Sequence, residues 1–210
     1  MMTMHRLSGK KDVRIAVVLM ASGFGERYGG NKLLEKFCGK PLFSHALDRA
    51  VESGADKICV VTRFLEIKKY VESGNKADVI WNFHPQRGIS ESMRLGLDAQ
   101  QEMDGCCFMV CDQPLLQTET LQRLFAAFRA APEYIYVCGD GIHRGNPVLF
   151  PKDLFEELMK LTGDEGGRQI LKKYPHRIRE ICVSQKEELY DMDSVKDREL
   201  LYNIKTKKYI

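Results

Sequence analysis

Between positions 20 and 32 the chain reads Met20-Ala-Ser-Gly-Phe-Gly-Glu-Arg-Tyr-Gly-Gly-Asn-Lys32. Glycines at 23, 25, 29 and 30 let backbone N–H groups close on an anion, and Arg27 and Lys32 add fixed positive charge. The pattern predicts a phosphate-binding loop. Two shorter motifs do not account for it. The dinucleotide fingerprint G-x-G-x-x-G fits Gly23 and Gly25, but position 28 is Tyr, and the next expected strand ends at Thr62-Arg63 without an acid for a ribose. A Walker A loop has Lys after its second glycine and then Ser or Thr. Here Asn31 precedes Lys32 and Leu33 follows it, which leaves no hydroxyl to hold magnesium. The next strong helix start is Pro41, and a connection of about twenty residues with two cations is long enough to wrap a triphosphate.

Carboxylates supply the other half of the chemistry. Asp112 ends an apolar run at the sheet edge expected to carry the glycine loop, where Mg²⁺ needs a hard oxygen ligand beside phosphates; Pro114 stiffens the turn that presents it. Asp191 and Asp193 are spaced to face the same way in an extended segment, about 6.6 Å apart. Their oxygens have the chemistry of a hard-cation ligand; alternatively Asp193 or Ser194 caps the last helix. The segment from Gly88 to Ser92 opens a helix whose free N–H groups make an anion-friendly rim, with Ser90 as the expected N-cap. Asp164 reads as a cap for the helix holding Arg168. His84 and His143 fall near loops able to line an acceptor pocket; His45 and His176 share no spacing with them.

These residues need elements to hold them. Apolar runs predict strands over 13–20, 57–62, 78–81 and 106–111, the first and last apolar enough to be buried on both faces. Amphipathic segments predict helices over 41–53, 64–73, 90–103 and 118–131, the last with a threonine cap. Such alternation implies a mostly parallel sheet with helices on both faces. Segments 134–139 and 142–150 flank Asp140-Gly141, a hairpin turn pair, and predict an antiparallel excursion. Helices over 152–161 and 166–173, a strand over 177–183 and a last helix over 195–202 complete the reading. Trp81 and the methionines read as core. No repeat or linker is evident, so the expectation is one domain over 12–210 behind a flexible leader at 1–11.

Composition narrows the class. The chain has 210 residues, 44% of them hydrophobic and 29% charged, with a net charge of +3. That is globular composition, too near charge balance to imply nucleic acid, and no apolar run approaches the ~20 residues of a membrane span. The apolar run at 15–21 lies too deep behind a polar start for a signal peptide and reads as a buried first strand. The basic run at 205–208 reads as a solvated end. Among seven cysteines, Cys107 and Cys111 would share a strand face about 13 Å apart while Cys106 points the other way, so the three cannot close on one zinc. Buried reduced thiols in a cytoplasmic protein are expected.

At the glycine loop the sequence resembles nucleotidyltransferases that share L-A-A-G-x-S-x-R-M-G-x-x-K, the MobA-like NTP transferase family. It departs from that pattern at Ser22, Gly25 and Tyr28. The runs Gly88-Ile-Ser-Glu-Ser-Met-Arg-Leu-Gly-Leu97, Val110-Cys-Asp-Gln-Pro114, Gly145-Asn-Pro-Val-Leu-Phe150, Gly163-Asp164-x-Gly166 and Asp191-Met-Asp-Ser194 look most like the molybdenum cofactor cytidylyltransferase branch. The resemblance implies a Rossmann-like nucleotidyltransferase fold. It implies nucleotide binding by Ala21, Ser22, Gly23, Phe24, Gly25, Lys32, Gly88 and Ser92, catalysis by Lys32, Arg27 and Asp112, and Mg²⁺ on Asp112, Asp191 and Asp193. CMP would pass from CTP, or another NMP from its NTP, to the phosphate of molybdopterin. Transient contact with a molybdoenzyme or its chaperone is implied, and neither nucleic acid nor membrane is. A sugar phosphate or methylerythritol phosphate is the alternative acceptor, and a nucleotide-binding regulatory module without turnover is the reading from another class.

Overall fold

The computed structural model describes residues 12–23 and 31–207. The leader expected at 1–11, the site candidates Phe24, Gly25 and Arg27, and Lys208 lie outside the described residues. The first strand, β1 (Ile15–Ala21), is fully buried through Leu19, as its unbroken apolar run requires. The chain then makes a short 3-10 turn at Lys32–Leu34 and a two-stranded ribbon, β2 (Lys36–Phe37) and β3 (Lys40–Pro41), turning through Cys38 and Gly39 at positive φ. Helix α1 (Leu42–Glu52), β4 (Lys57–Thr62), α2 (Leu65–Gly74), β5 (Asp78–Trp81), α3 (Ile89–Asp98) and β6 (Gly105–Val110) follow. After them come α4 (Thr118–Ala130), β7 (Ile135–Gly139), β8 (Arg144–Pro151), α5 (Phe155–Leu158), α6 (Arg168–Lys173), β9 (Ile178–Cys182) and α7 (Val195–Lys207).

Seven strands form one sheet in the order β5-β4-β1-β6-β8-β7-β9. Only β8 runs against the others, pairing antiparallel with both β6 and β7, so the expected antiparallel excursion is a single reversed strand inside the sheet. Side chains alternate along a strand, so both faces of β1 are apolar. Val17 and Leu19 join the core under α1, α4 and α7 with Phe43, Phe125 and Leu201. Val18 joins the core under α3, α5 and α6 with Leu97, Phe155 and Ile170. Cys106 and Cys107 fall into opposite cores, and all seven cysteines are free. Burial pushes Cys59 and Cys138 up to about 12, which keeps them as thiols. Among the described residues no helix is long and apolar enough to cross a membrane.

Several expected boundaries move, each because a distant group does the local work. Helix α3 starts at Ile89 with Gly88 as N-cap at φ +82°, and the Asp164 carboxylate accepts the Ile89 N–H at 3.2 Å. Ser90 is therefore not the cap but a buried first-turn residue, and Asp164 caps α3 rather than α6. The helix also stops at Asp98, short of 103. Thr118 lies inside α4, not before it: Gln117 is the N-cap, and its N–H goes to Glu188. Segment 152–161 divides into a 3-10 turn at Lys152–Leu154 and the four residues of α5. The last helix runs on to Lys207, and Lys205 lies over the Phe37 ring at 5.6 Å, so this residue is not a solvated tail. Trp81 is half-buried on the edge strand, edge to face with Phe83.

Candidate active site

The chain leaves β1 on one side for β4 and returns on the other to β6, so the ends of these strands meet at the point where strand order reverses. Open α/β sheets bind their ligands in the crevice outside such a point. A cleft of about 570 Å³ lies there. Ser22 and Gly23 leave β1 into it, Lys32 stands at the start of the 3-10 turn, and Asp112 follows β6. Gly88 and Ser92 enter from the start of α3. Of the expected nucleotide-binding residues, Ala21 does not reach the cleft: it is fully buried, and its carbonyl accepts the Thr62 hydroxyl at 3.1 Å.

Lys32 is the centre of the charge arrangement. Its Nζ donates to Asp112 Oδ2 at 2.7 Å and to Asp193 Oδ1 at 2.6 Å. The lysine side chain is 15% exposed, Asp112 20% and Asp193 48%. Burial pulls the Lys32 pKa down, but the two carboxylates outweigh it and hold the ammonium above its ordinary value. The lysine is thus charged whenever the pair is ionised. Asn31 fixes the turn from which Lys32 reaches, its side chain accepting the Leu33 N–H at 3.2 Å.

The segment carrying Asp191 and Asp193 is tied to Asp112 by its backbone, the Met192 N–H donating to the Asp112 carbonyl at 2.9 Å. Gln113 Nε2 donates to Asp191 Oδ1 at 2.9 Å. Asp191 as a whole residue is exposed, yet protein atoms crowd its carboxyl group. That desolvation, then the charge of Asp112, pushes its pKa up to about 6. The alternative role for this segment divides between neighbours. Ser194 Oγ accepts the Asp197 N–H and caps α7, while the Asp193 carboxylate faces Lys32.

The magnesium site expected on Asp112 with one of Asp191 and Asp193 calls for two carboxylates, and the three together form no cluster. Among the described residues no group of three or more His, Cys, Asp or Glu side chains is arranged to hold a metal ion. The reason is that Lys32 stands between Asp112 and Asp193 while Gln113 holds Asp191. One feature nevertheless fits a dication: Asp112 Oδ1 is buried without a hydrogen-bond partner among the described residues. A buried carboxylate oxygen left unpaired is costly, and Mg²⁺ commonly takes one or two carboxylates plus substrate phosphates rather than a full protein cage.

At the other end of the cleft, Ser92 Oγ accepts from Asn82 Nδ2 at 3.3 Å, and the Ser22 hydroxyl donates inward to the Val61 carbonyl. Ser22 therefore offers the cleft its backbone rather than its hydroxyl. Asn82 and Gln113 position site residues, and sequence reading missed them. Each lies just past a strand end at the cleft edge, which is the signal that could have found them. His84 and His143 line neither this cleft nor the cavity next to it.

A strand-end loop, a lysine and paired carboxylates at the switch point of a mostly parallel sheet define a Rossmann-like nucleotidyltransferase fold. Residues 17–178 match the model of the MobA-like NTP transferase domain, and the chain belongs to that family. The chain is 29% identical to the molybdenum cofactor guanylyltransferase of Shewanella loihica over 163 residues, 75% of this chain and 79% of that protein. It is 30% identical to the bifunctional protein GlmU of Geobacillus sp. over 115 residues, 53% of this chain, and spans about a quarter (25%) of that longer relative. The crystal structure of Rv0371c from Mycobacterium tuberculosis H37Rv superposes with a TM-score of 0.77 at 25% identity, covering 91% of this chain and 99% of that one. A manganese complex of the same mycobacterial protein superposes with a TM-score of 0.74 at 24% identity, over 91% and 99% of the two chains.

Proposed function

We propose that the chain transfers CMP from CTP to the terminal phosphate of molybdopterin and releases pyrophosphate. The observation that carries this reading is the Lys32 ammonium held 2.7 Å from Asp112 and 2.6 Å from Asp193 at the mouth of a glycine-bearing strand end. Charge of both signs is what a site needs to hold a triphosphate and a divalent cation together. A phosphate oxygen of the acceptor forms a bond to the α-phosphorus, and the bond from that phosphorus to the β-phosphate bridge breaks. The second pKa of a phosphate monoester is near 6, so the acceptor is mostly a dianion at neutral pH and needs no general base. Positioning and charge neutralisation then supply the catalysis.

In this reading Lys32 leaves its carboxylates for the phosphates, and amides of the glycine loop cradle the same anion. Arg27 adds a second cation. Gly88 and Ser92 seat base and ribose at the first turn of α3, whose free N–H groups favour a polar partner. Asp112, with Asp193 or Asp191, would hold a divalent cation, and the unpaired Asp112 Oδ1 is the oxygen best placed for it. When bound, that cation neutralises charge between two anionic reactants. The mycobacterial structural relative was solved with manganese. Membership of the MobA-like family and the cytidylyl-type segments support this acceptor and donor.

GTP is the second reading for the donor, because the Shewanella relative is a guanylyltransferase. Purified protein incubated with molybdopterin and, separately, CTP, GTP and ATP decides between them by pyrophosphate release. Release with CTP well above GTP is expected. Preference for GTP replaces the donor, and release only with a sugar phosphate or methylerythritol phosphate replaces the acceptor. No release with any pair leaves a binding module.

A further inference from the structure

A trough of about 560 Å³ runs between the tip of the β2–β3 ribbon and helix α7. It shares no lining residue with the cleft that holds Lys32 and Asp112. Lys36 and Cys38 stand in the ribbon wall, Arg198, Glu199 and Tyr202 in the helix wall, and buried Phe37 lies beneath them.

Positive charge collects here without partners. Arg198 is half-buried, and its guanidinium has no hydrogen-bond or ion-pair partner among the described residues. Lys36 is exposed and has none either. Lys205 Nζ rests over the Phe37 ring at 5.6 Å and makes no ion pair among the described residues. Burial lowers its pKa, and the charges of Arg49 and Lys40 lower it further against the pull of Cys38. A guanidinium partly taken from water and left unpaired is costly, so this face gains by meeting carboxylates.

Helix α7 itself leaves apolar surface in water. Of its thirteen residues only Leu201 is buried. Val195, Arg198, Glu199 and Tyr202 recur at the spacing of one helix face. Val195 is 52% exposed and Tyr202 51%. Tyrosine and arginine are the side chains that most often dominate binding energy at protein interfaces. Here they stand one turn apart on the wall of an open trough.

Six of the eight residues lining the trough are exposed, so it lacks the enclosure with which a pocket buries most of a small molecule. An extended segment laid along it gathers several weaker contacts instead. Glu199 narrows the choice further. A nucleic acid carries a charge at every phosphate and meets repulsion at this carboxylate. A peptide can set its own carboxylates opposite Lys36 and Arg198 and an aromatic ring against Tyr202. We infer that this trough is the docking site for an acidic segment of a partner protein, held by Lys36 and Arg198 and anchored by an aromatic residue on Tyr202. The site serves recognition and takes no part in the chemistry of the cleft.

The probe is a short synthetic peptide of Asp and Glu with one central Phe, labelled for fluorescence anisotropy. Cys38 and Cys182 are exposed and the other five cysteines are buried. Alkylation by N-ethylmaleimide, read by mass spectrometry, therefore reports the trough at Cys38, with Cys182 on β9 as internal reference. Saturating peptide is expected to slow alkylation of Cys38 in the wild-type protein and to leave Cys182 unchanged. Arg198→Glu and Lys36→Glu are each expected to weaken the peptide about tenfold or more, the loss of one charge-assisted contact. Lys172→Glu on α6, under the other face of the sheet, makes the same change in net charge and should alter affinity little. Tyr202→Ala should weaken this peptide but not one with Ser in place of its Phe. Absence of binding to wild type at low salt overturns the inference. So does binding that leaves Cys38 unprotected, or that Lys172→Glu weakens as much as Arg198→Glu does. Tighter binding of a single-stranded oligonucleotide at the same residues overturns it in favour of nucleic acid, and self-association abolished by Arg198→Glu overturns it in favour of a second copy of this chain.

Discussion

Lys32 occupies the ground between Asp112 and Asp193 that a divalent cation would also seek, so the two compete for the same oxygens. This makes the role of Lys32 testable with two readouts that move in opposite directions. Lys32→Met is expected to lower turnover by about 10²-fold or more, the size seen when one charge-stabilising donor is removed. The same variant should bind Mn²⁺ more tightly than wild type when no nucleotide is present, because the carboxylates lose their resident counter-charge. Electron paramagnetic resonance titration measures the second effect; equal Mn²⁺ affinities would show that lysine and metal do not share the site. Asp112→Asn keeps shape and one hydrogen-bonding oxygen but removes the charge that holds a hard dication. A magnesium titration of initial rate should shift its midpoint upward and lower its maximum, while Asp191→Asn and Asp193→Asn identify the second ligand. An unchanged midpoint and maximum in Asp112→Asn would remove it from the metal site. The residue types and their place at strand ends were readable in the sequence. Their pairing was not, because Lys32 meets partners 80 and 161 residues away, and no local pattern encodes such a contact.

Helix α3 borders two cavities: its first turn lines the cleft that holds Lys32 and Asp112, and its Met93 lines a neighbouring cavity of about 240 Å³. Its distance from β1 is set by Gly96: a Cβ there would lie 2.3 Å from Val18 Cγ1, and Val18 is fully buried. Alanine would improve helix propensity by about 1 kcal/mol, but overpacking a tight core costs about 1–3 kcal/mol. Val18 is β-branched and held between two neighbouring strands, so it cannot move aside and the second effect should win. Gly96→Ala is therefore expected to lower the urea midpoint with little change in the slope, and a raised midpoint would mean that the helix shifts freely on the sheet. Elements of this kind were legible wherever burial imposes a period. Strands β4 and β5 fall at the expected residues, because their apolar runs face cores or neighbours along their length. The ribbon of β2 and β3 was not, since two residues per strand carry no period. The start of α3 was hidden for a different reason: its cap comes from Asp164, 75 residues on.

At the scale of the molecule, the site hangs from elements on both faces of the sheet, so global stability sets how well it is held. One buried group makes that stability depend on pH. His45 of α1 lies 2% exposed beneath the ribbon, its Nε2 on the Phe37 carbonyl at 2.9 Å and its ring edge to face with Phe37. The imidazole therefore donates from Nε2 in its neutral form. Burial lowers its pKa from 6.5 to about 4 against the pull of the Phe37 carbonyl, and the charges of Lys40, Lys205 and Arg49 lower it further. The folded pKa lies below the unfolded one, so protons bind preferentially to the unfolded chain. The contribution to stability is complete above pH 6.5 and is lost as pH falls toward 4. A difference of this size corresponds to about 3 kcal/mol, at about 1.4 kcal/mol per unit. Carboxylates titrate in part of the same window, so one stability curve does not isolate the histidine. His45→Gln does: its amide can still donate to the Phe37 carbonyl but takes up no proton there. Urea unfolding of both proteins at several pH values between 7 and 4 should show wild type falling faster, with the curves parallel above 6.5. Curves that stay parallel down to pH 4 would mean that His45 charges as easily in the folded protein as in the unfolded chain, and that the ribbon opens to water over α1.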